Sequence, residues 1–241
     1  MYVSFIRAIC VGLLFCLCHK VMANVVISGT RVIYPAQSNE VTLQLENLGK
    51  SPSLVQAWID SGDANQTADS SDAPFFLTPP VSRVEPGRSQ TLRIFFNGSP
   101  LTTTQESLFW LNVLDIPPSP DASTGTDRNY LQIAFRSRIK LFYRPSELSG
   151  NAKDAPNSLR WKLIGNSLQV ENPSEYHVTL EGIRTVSGNE EVSIEDKGVM
   201  IAPREKMEFI APKAAERLLF LSVNDFGGRD EHSVRLVDIQ S

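Results

Sequence analysis

The chain has 241 residues, with 23 Lys and Arg against 27 Asp and Glu, and its net charge of −4 excludes general nucleic-acid binding while allowing a local cationic site. All three cysteines, Cys10, Cys16 and Cys18, lie near the N-terminus, so no disulfide framework holds the rest together. At this length two domains of about 100 residues are expected, each able to bury a core without cross-links.

Residues 1–23 read as an address rather than as structure. Arg7 supplies the positive start, Ala8 to Cys18 an apolar run too short to span a bilayer, and Val21-Met22-Ala23 a small-residue cleavage site. A secretory signal peptide removed after Ala23 is expected, and the cysteines leave with it.

From Asn24 to Tyr34 the chain is β-branched and apolar except for Arg31, which pattern alone reads as a solvated strand-end arginine. After a turn over Pro35 to Asn39, Val41, Leu43 and Leu45 alternate as a half-buried strand does. Ser53 to Asp60 is the next strand, with Trp58 as its core anchor, and Ser61 to Ala73 reads as a solvated loop. Pro74 to Phe96 supplies two strands around Glu85-Pro86-Gly87, and Pro79-Pro80 within it marks an edge or a bend, since neither proline donates to a ladder. Glu106 to Ile116 is apolar on both parities, as suits a central strand, and Pro117 to Arg128 is a loop.

Asn129 to Pro145 then reads as one long strand. Leu131, Ile133, Phe135, Ile139 and Leu141 are apolar, whereas Gln132, Arg136, Arg138 and Lys140 are polar or cationic. Two readings stand. The apolar row packs on the strand's own sandwich, or part of it is offered to another chain's sheet while the cations hold something anionic.

Ser146 to Ser158 is polar and turn-rich and marks a domain boundary, giving domains over 24–147 and 148–241. The second half repeats the texture of short strands separated by turns such as Gly165-Asn166 and Gly227-Gly228. The expected fold class is all-β, two antiparallel sandwiches.

Catalysis finds little to work with. Outside the leader the histidines are His177 and His232, far apart in strand-like surroundings, with no nucleophile elbow, phosphate-cradling glycine loop or calcium loop. No enzyme activity, cofactor, metal or small-molecule substrate is expected.

Five segments together resemble one family. Thr30 to Pro35 (TRVIYP), Phe75 to Gly87 (FFLTPPVSRVEPG), Glu106 to Val113 (ESLFWLNV), Ile139 to Pro145 (IKLFYRP) and Leu221 to Gly228 (LSVNDFGG) are similar to periplasmic pilus-assembly chaperones, the PapD-like partners of outer-membrane ushers. The resemblance implies two immunoglobulin-like domains set in an L, with a cleft that binds the C-terminus of a pilin subunit. It places the carboxylate-holding cations on Arg31 and Lys140, and the donor row that enters the subunit groove on Leu131, Ile133 and Phe135. An interdomain ion cluster falls on Glu106, Arg144 and Asp225, and a cis proline on Pro79. The implied partners are pilin subunits, the usher and, for the free protein, a second copy in a self-capping dimer; the implied location is the periplasm.

The sequence departs from the family at Leu101 to Gln105, which lacks the usual proline, acidic residue and arginine, and at Glu175, which stands where a second proline is expected. The loop before the donor strand is short, as in the branch serving rod-like pili. Two rival readings are a secreted two-domain adhesin or fibre subunit, and a secreted hydrolase.

Overall fold

The computed structural model describes residues 24–119, 131–212 and 215–236. The expected leader and its cleavage after Ala23 lie outside the described residues, as do Asn129, Tyr130 and most of the proline-rich loop before them.

The first domain is a sandwich of two sheets. Strands β1 (Val25–Ile27), β3 (Val41–Asn47), β7 (Ser89–Phe96) and β5 (Phe75–Thr78) pair in the order β1-β3-β7-β5. The second sheet runs β2-β9-β8-β4-β6, made of β2 (Arg31–Pro35), β9 (Phe135–Arg144), β8 (Ser107–Ile116), β4 (Ser53–Asp60) and β6 (Val81–Val84). Alternation sets which side chains go in: Leu43 and Leu45 of β3 are buried while Thr42, Gln44 and Glu46 are exposed. Leu45, Leu92, Ile94, Leu111 and Leu141, drawn from both sheets, are fully buried in one core.

Asn24 to Tyr34 proves to be two strands in different sheets. Gly29 sits between them at φ +125°, a conformation that side-chain-bearing residues rarely adopt, and the chain changes sheet there. A second change of sheet, from β5 to β6, falls at Pro79-Pro80; the Thr78–Pro79 peptide is cis, and the carbonyl of Pro80 accepts the Ala57 N–H at 2.8 Å.

The second domain builds another sandwich from β10 (Arg160–Ile164), β11 (Ser167–Glu171) and β15 (Lys206–Ile210) on one side. The other side holds β12 (Val178–Ser187), β13 (Glu190–Glu195), β14 (Val199–Ile201), β16 (Arg217–Val223) and β17 (Arg229–Arg235). Its own core contains Leu163, Leu168, Leu180, Ile183, Ile201 and Leu218, with Leu148 packed against it. A buried asparagine tethers a loop in each domain. Asn47 donates to the carbonyls of Ser51 and Val84, and Asn172 to those of Tyr176, Ile201 and Ala202. The architecture is two immunoglobulin-like sandwiches with separate cores.

Candidate functional site

β9 is paired unequally on its two sides. β8 runs antiparallel to it over Phe135 to Tyr143, but β2 joins, in parallel, only from Lys140 onward. Among the described residues, Phe135 to Ile139 therefore carries an unpaired edge. The strand also starts later than the alternation suggests: Leu131 to Ala134 lie outside it, because among the described residues no neighbour offers them a ladder. Gln132 keeps the segment close by donating to the Pro117 carbonyl at 2.7 Å.

The apolar row is divided along its length. Leu141 is fully buried and Ile139 packs against the core, whereas Leu131 is 83% exposed and Ile133 and Phe135 are each 50% exposed. Three large apolar side chains in succession thus leave the sandwich and face solvent, on the segment whose backbone edge is open.

The open edge ends at Arg31 and Lys140. These two residues are direct partners in the parallel β2–β9 register, which puts their side chains on the same face. Both reach neutral groups of the second domain: Arg31 Nη1 donates to the Val223 carbonyl at 2.9 Å and Lys140 Nζ to Thr179 Oγ1 at 3.1 Å. Neither is in an ion pair among the described residues, and Arg31 Nε is buried without an acceptor there. Burial lowers the pKa of Arg31, against an opposing pull from Asp225, Glu106 and Glu181. Burial, and then the charge of Arg31, lower that of Lys140 to about 8. Arg31 also lines a cleft of about 380 Å³ between the domains, together with Phe142, Thr179, Val223 and Phe226. The solvated strand-end reading of Arg31 is thereby replaced by a half-buried cation that makes no ion pair among the described residues.

Arg144, at the end of β9, gathers carboxylates from both domains. Its Nε donates to Glu106 Oε1 at 2.7 Å, and its two terminal nitrogens grip Asp225 as a fork at 2.7 and 2.9 Å. Burial opposes the charge on Arg144, but these bonds outweigh it and raise its pKa. Glu106 is buried and accepts in addition the backbone N–H of His177 at 2.8 Å, with His177 Nδ1 3.2 Å away. Glu175, the residue that departs from the family pattern, accepts the Glu106 N–H on its carbonyl and the Ser149 N–H on its carboxylate.

Further along the face of β9 that carries Lys140, Arg136 and Arg138 meet two residues that sequence reasoning did not single out, Asp60 and Asn112. The carboxylate of Asp60, fully buried at the end of β4, receives Arg138 at 2.5 Å, Asn112 Nδ2 at 2.6 Å and the Gly62 N–H at 2.9 Å. Burial opposes its ionisation, yet the bonds from Arg138, Asn112 and Gly62 hold its pKa below the usual value. Arg138 and Arg136 lie over the rings of Trp110 and Trp58, at 4.3 and 4.7 Å. They also donate to the carbonyls of Gly62, Ala64 and Gln66, so the solvated loop, exposed as expected, is also fastened to the sheet of β9. The available signal was a polar residue, Asp60 or Asn112, in an otherwise apolar strand.

Asp60→Asn keeps the shape and removes the charge, and is expected to cost about 1.5–3 kcal/mol in urea unfolding at neutral pH. Because the native pKa is depressed, the gap between the two proteins should be full above about pH 4 and close as the pH falls through the native value. An equal gap at low pH would overturn the assignment.

A two-sandwich binding protein that presents an unfinished sheet edge ending at a cation pair is the class these features define. The chain belongs to the PapD-like pilus-assembly chaperones: the family "Pili and flagellar-assembly chaperone, PapD N-terminal domain" matches residues 24–149, and "Pili assembly chaperone PapD, C-terminal domain" matches residues 154–234. It is 41% identical to the chaperone protein FimB/FhaD of Bordetella pertussis, over 97% of this chain and 96% of that one. The solved YadV chaperone, from Escherichia coli, is 40% identical, with a TM-score of 0.75 over 89% of this chain and 100% of that one. The SafB chaperone of Salmonella enterica, solved in complex with the SafA pilin, is 28% identical, with a TM-score of 0.75 over 91% and 99%.

Proposed function

We propose that this protein is a periplasmic chaperone that binds pilin subunits by lending them a strand, caps them, and hands them to an outer-membrane usher. One observation carries the mechanism: an exposed apolar row leads into an open strand edge that ends at two half-buried cations, neither in an ion pair among the described residues. An immunoglobulin-like subunit that lacks a strand exposes an apolar groove and unpaired backbone, and is prone to aggregate. Leu131, Ile133 and Phe135 would fill that groove while main chain pairs with main chain.

The cations set the direction. β2 runs parallel to β9 and starts at Arg31, so a partner strand lying on the open edge parallel to β9 would bring its C-terminus to Arg31 and Lys140. An antiparallel partner would bring a positive amino end there instead. A terminal carboxylate therefore selects the parallel arrangement, and anchoring it fixes the register.

The energetics require both parts. Three buried side chains give roughly 5–9 kcal/mol at about 1.5–3 kcal/mol each, against an association cost of about 4–15 kcal/mol. The apolar row alone thus barely suffices.

The mature chain is proposed to begin at Asn24 and to divide between residues 147 and 148. The relatives' names favour the chaperone over the adhesin or fibre-subunit reading. Structural roles account for both histidines: His177 faces Glu106, while His232 stacks on Phe220 and bridges Ser222 and Asn157.

Co-purification of a co-expressed pilin subunit from periplasm tests the reading. Ile133→Ala should weaken retention by about 1.5–3 kcal/mol while leaving the unfolding of the chaperone itself unchanged. Undiminished pilin recovery would sink strand lending through this row.

A further inference from the structure

Phe226 is 95% exposed, on the turn between β16 and β17. A lone exposed phenylalanine needs no explanation, but this one is held in place. Asn224 Oδ1 accepts the N–H groups of Phe226 and Gly228 at 3.1 and 2.9 Å, and the Asn224 carbonyl accepts that of Gly227 at 2.9 Å. On one side Asp225 is gripped by Arg144. On the other, Gly227 has φ +82° and lies so close to β2 that a Cβ there would sit 2.5 Å from Thr30 Oγ1. The turn that carries Phe226 is thus held on the wall of the cleft that Arg31 lines.

We propose that Phe226 is a client-contact residue, a fixed apolar shelf on which the side chain of the client's C-terminal residue packs. The proposal rests on reading Arg31 and Lys140 as the carboxylate site and adds a preference for apolar or aromatic final residues. Three observations carry it. The cleft, about 380 Å³, is of a size that holds a small ligand, so a carboxylate alone leaves room beside it. The cleft lining is apolar as well as charged, with Phe142, Val178, Val223 and Phe226 among its residues. The turn that presents the ring is braced against the residue preceding Arg31, where a strand on the open edge would end.

The test uses the full mature protein and synthetic peptides of about ten residues alternating valine and serine, long enough to cover the open edge at about 3.4 Å per residue. One peptide ends in phenylalanine and one in glycine, both with free carboxylates, and a third carries a C-terminal amide. The wild type should bind the phenylalanine-ended peptide about tenfold more tightly than the glycine-ended one. Phe226→Ser should erase that difference by weakening only the former, with thermal unfolding unchanged. If Phe226→Ser affects both peptides equally or neither, while Arg31→Ala and amidation still weaken binding, the shelf is overturned and the carboxylate site stands. If the wild type binds no peptide, or Arg31→Ala and amidation change nothing, the carboxylate site and the shelf fall together.

Discussion

Arg31→Ala is expected to reduce retention of a co-expressed pilin subunit by about 2–5 kcal/mol, with Lys140→Ala in the same range. Both groups are partly buried and face neutral oxygens, so on the proposed reading a subunit carboxylate would supply the ion-pair partner they do not have among the described residues. The double substitution should cost less than the sum of the two, since the remaining cation is already weakened once its neighbour is gone. Acidity gives a second readout. The Lys140 ammonium of the free protein has a pKa of about 8, and a bound carboxylate would raise it. Retention should therefore be constant between about pH 5, where the client carboxylate is ionised, and about pH 8, and fall as the pH rises through 8 towards the higher bound value, with Lys140→Ala flattening that upper limb. Equal recovery from all variants at every pH would refute the cation pair as the anchor.

Arg144→Ala is expected to destabilise the protein by about 3–5 kcal/mol, because it leaves buried Glu106 without its counter-charge. Part of that cost falls between the domains, since the same guanidinium holds Asp225 of the second sandwich. Arg144→Lys should recover only a fraction: an ammonium is a point charge and cannot make the fork to Asp225 while also reaching Glu106. Thermal or urea unfolding measures this directly. A loss below about 1 kcal/mol for the alanine variant would show that the cluster does not couple the domains.

Much of this architecture is legible in residue order because it rests on local periodicity. The alternation of Val41, Leu43 and Leu45 forms a half-buried strand, and the same two-residue spacing carries Ile139 and Leu141 into the core at the end of β9. That alternation cannot say where β9 begins, since a strand needs a neighbour and Leu131 to Ala134 have none among the described residues. Nor can it separate β1 from β2, because the chain changes sheet at Gly29 within a continuous β-branched stretch. Pattern alone makes Arg31 an ordinary surface arginine; only the resemblance to a family places it beside Lys140. The network around Asp60 stays hidden for a different reason. Its members, Asp60, Asn112, Arg136 and Arg138, come from three strands, and nothing local announces that they meet.

If β9 lends its edge as proposed, the divided apolar row would make it a gauge as well as a donor. Ile139 and Leu141 are locked into the molecule's own core, so the strand cannot slide, and Phe135 stays about 17 Å from Lys140 at about 3.4 Å per residue. On the proposed reading, cargo would thus be measured from its tail. A subunit lengthened by a single residue would turn its inward side chains outward and be refused, however well its groove were shaped.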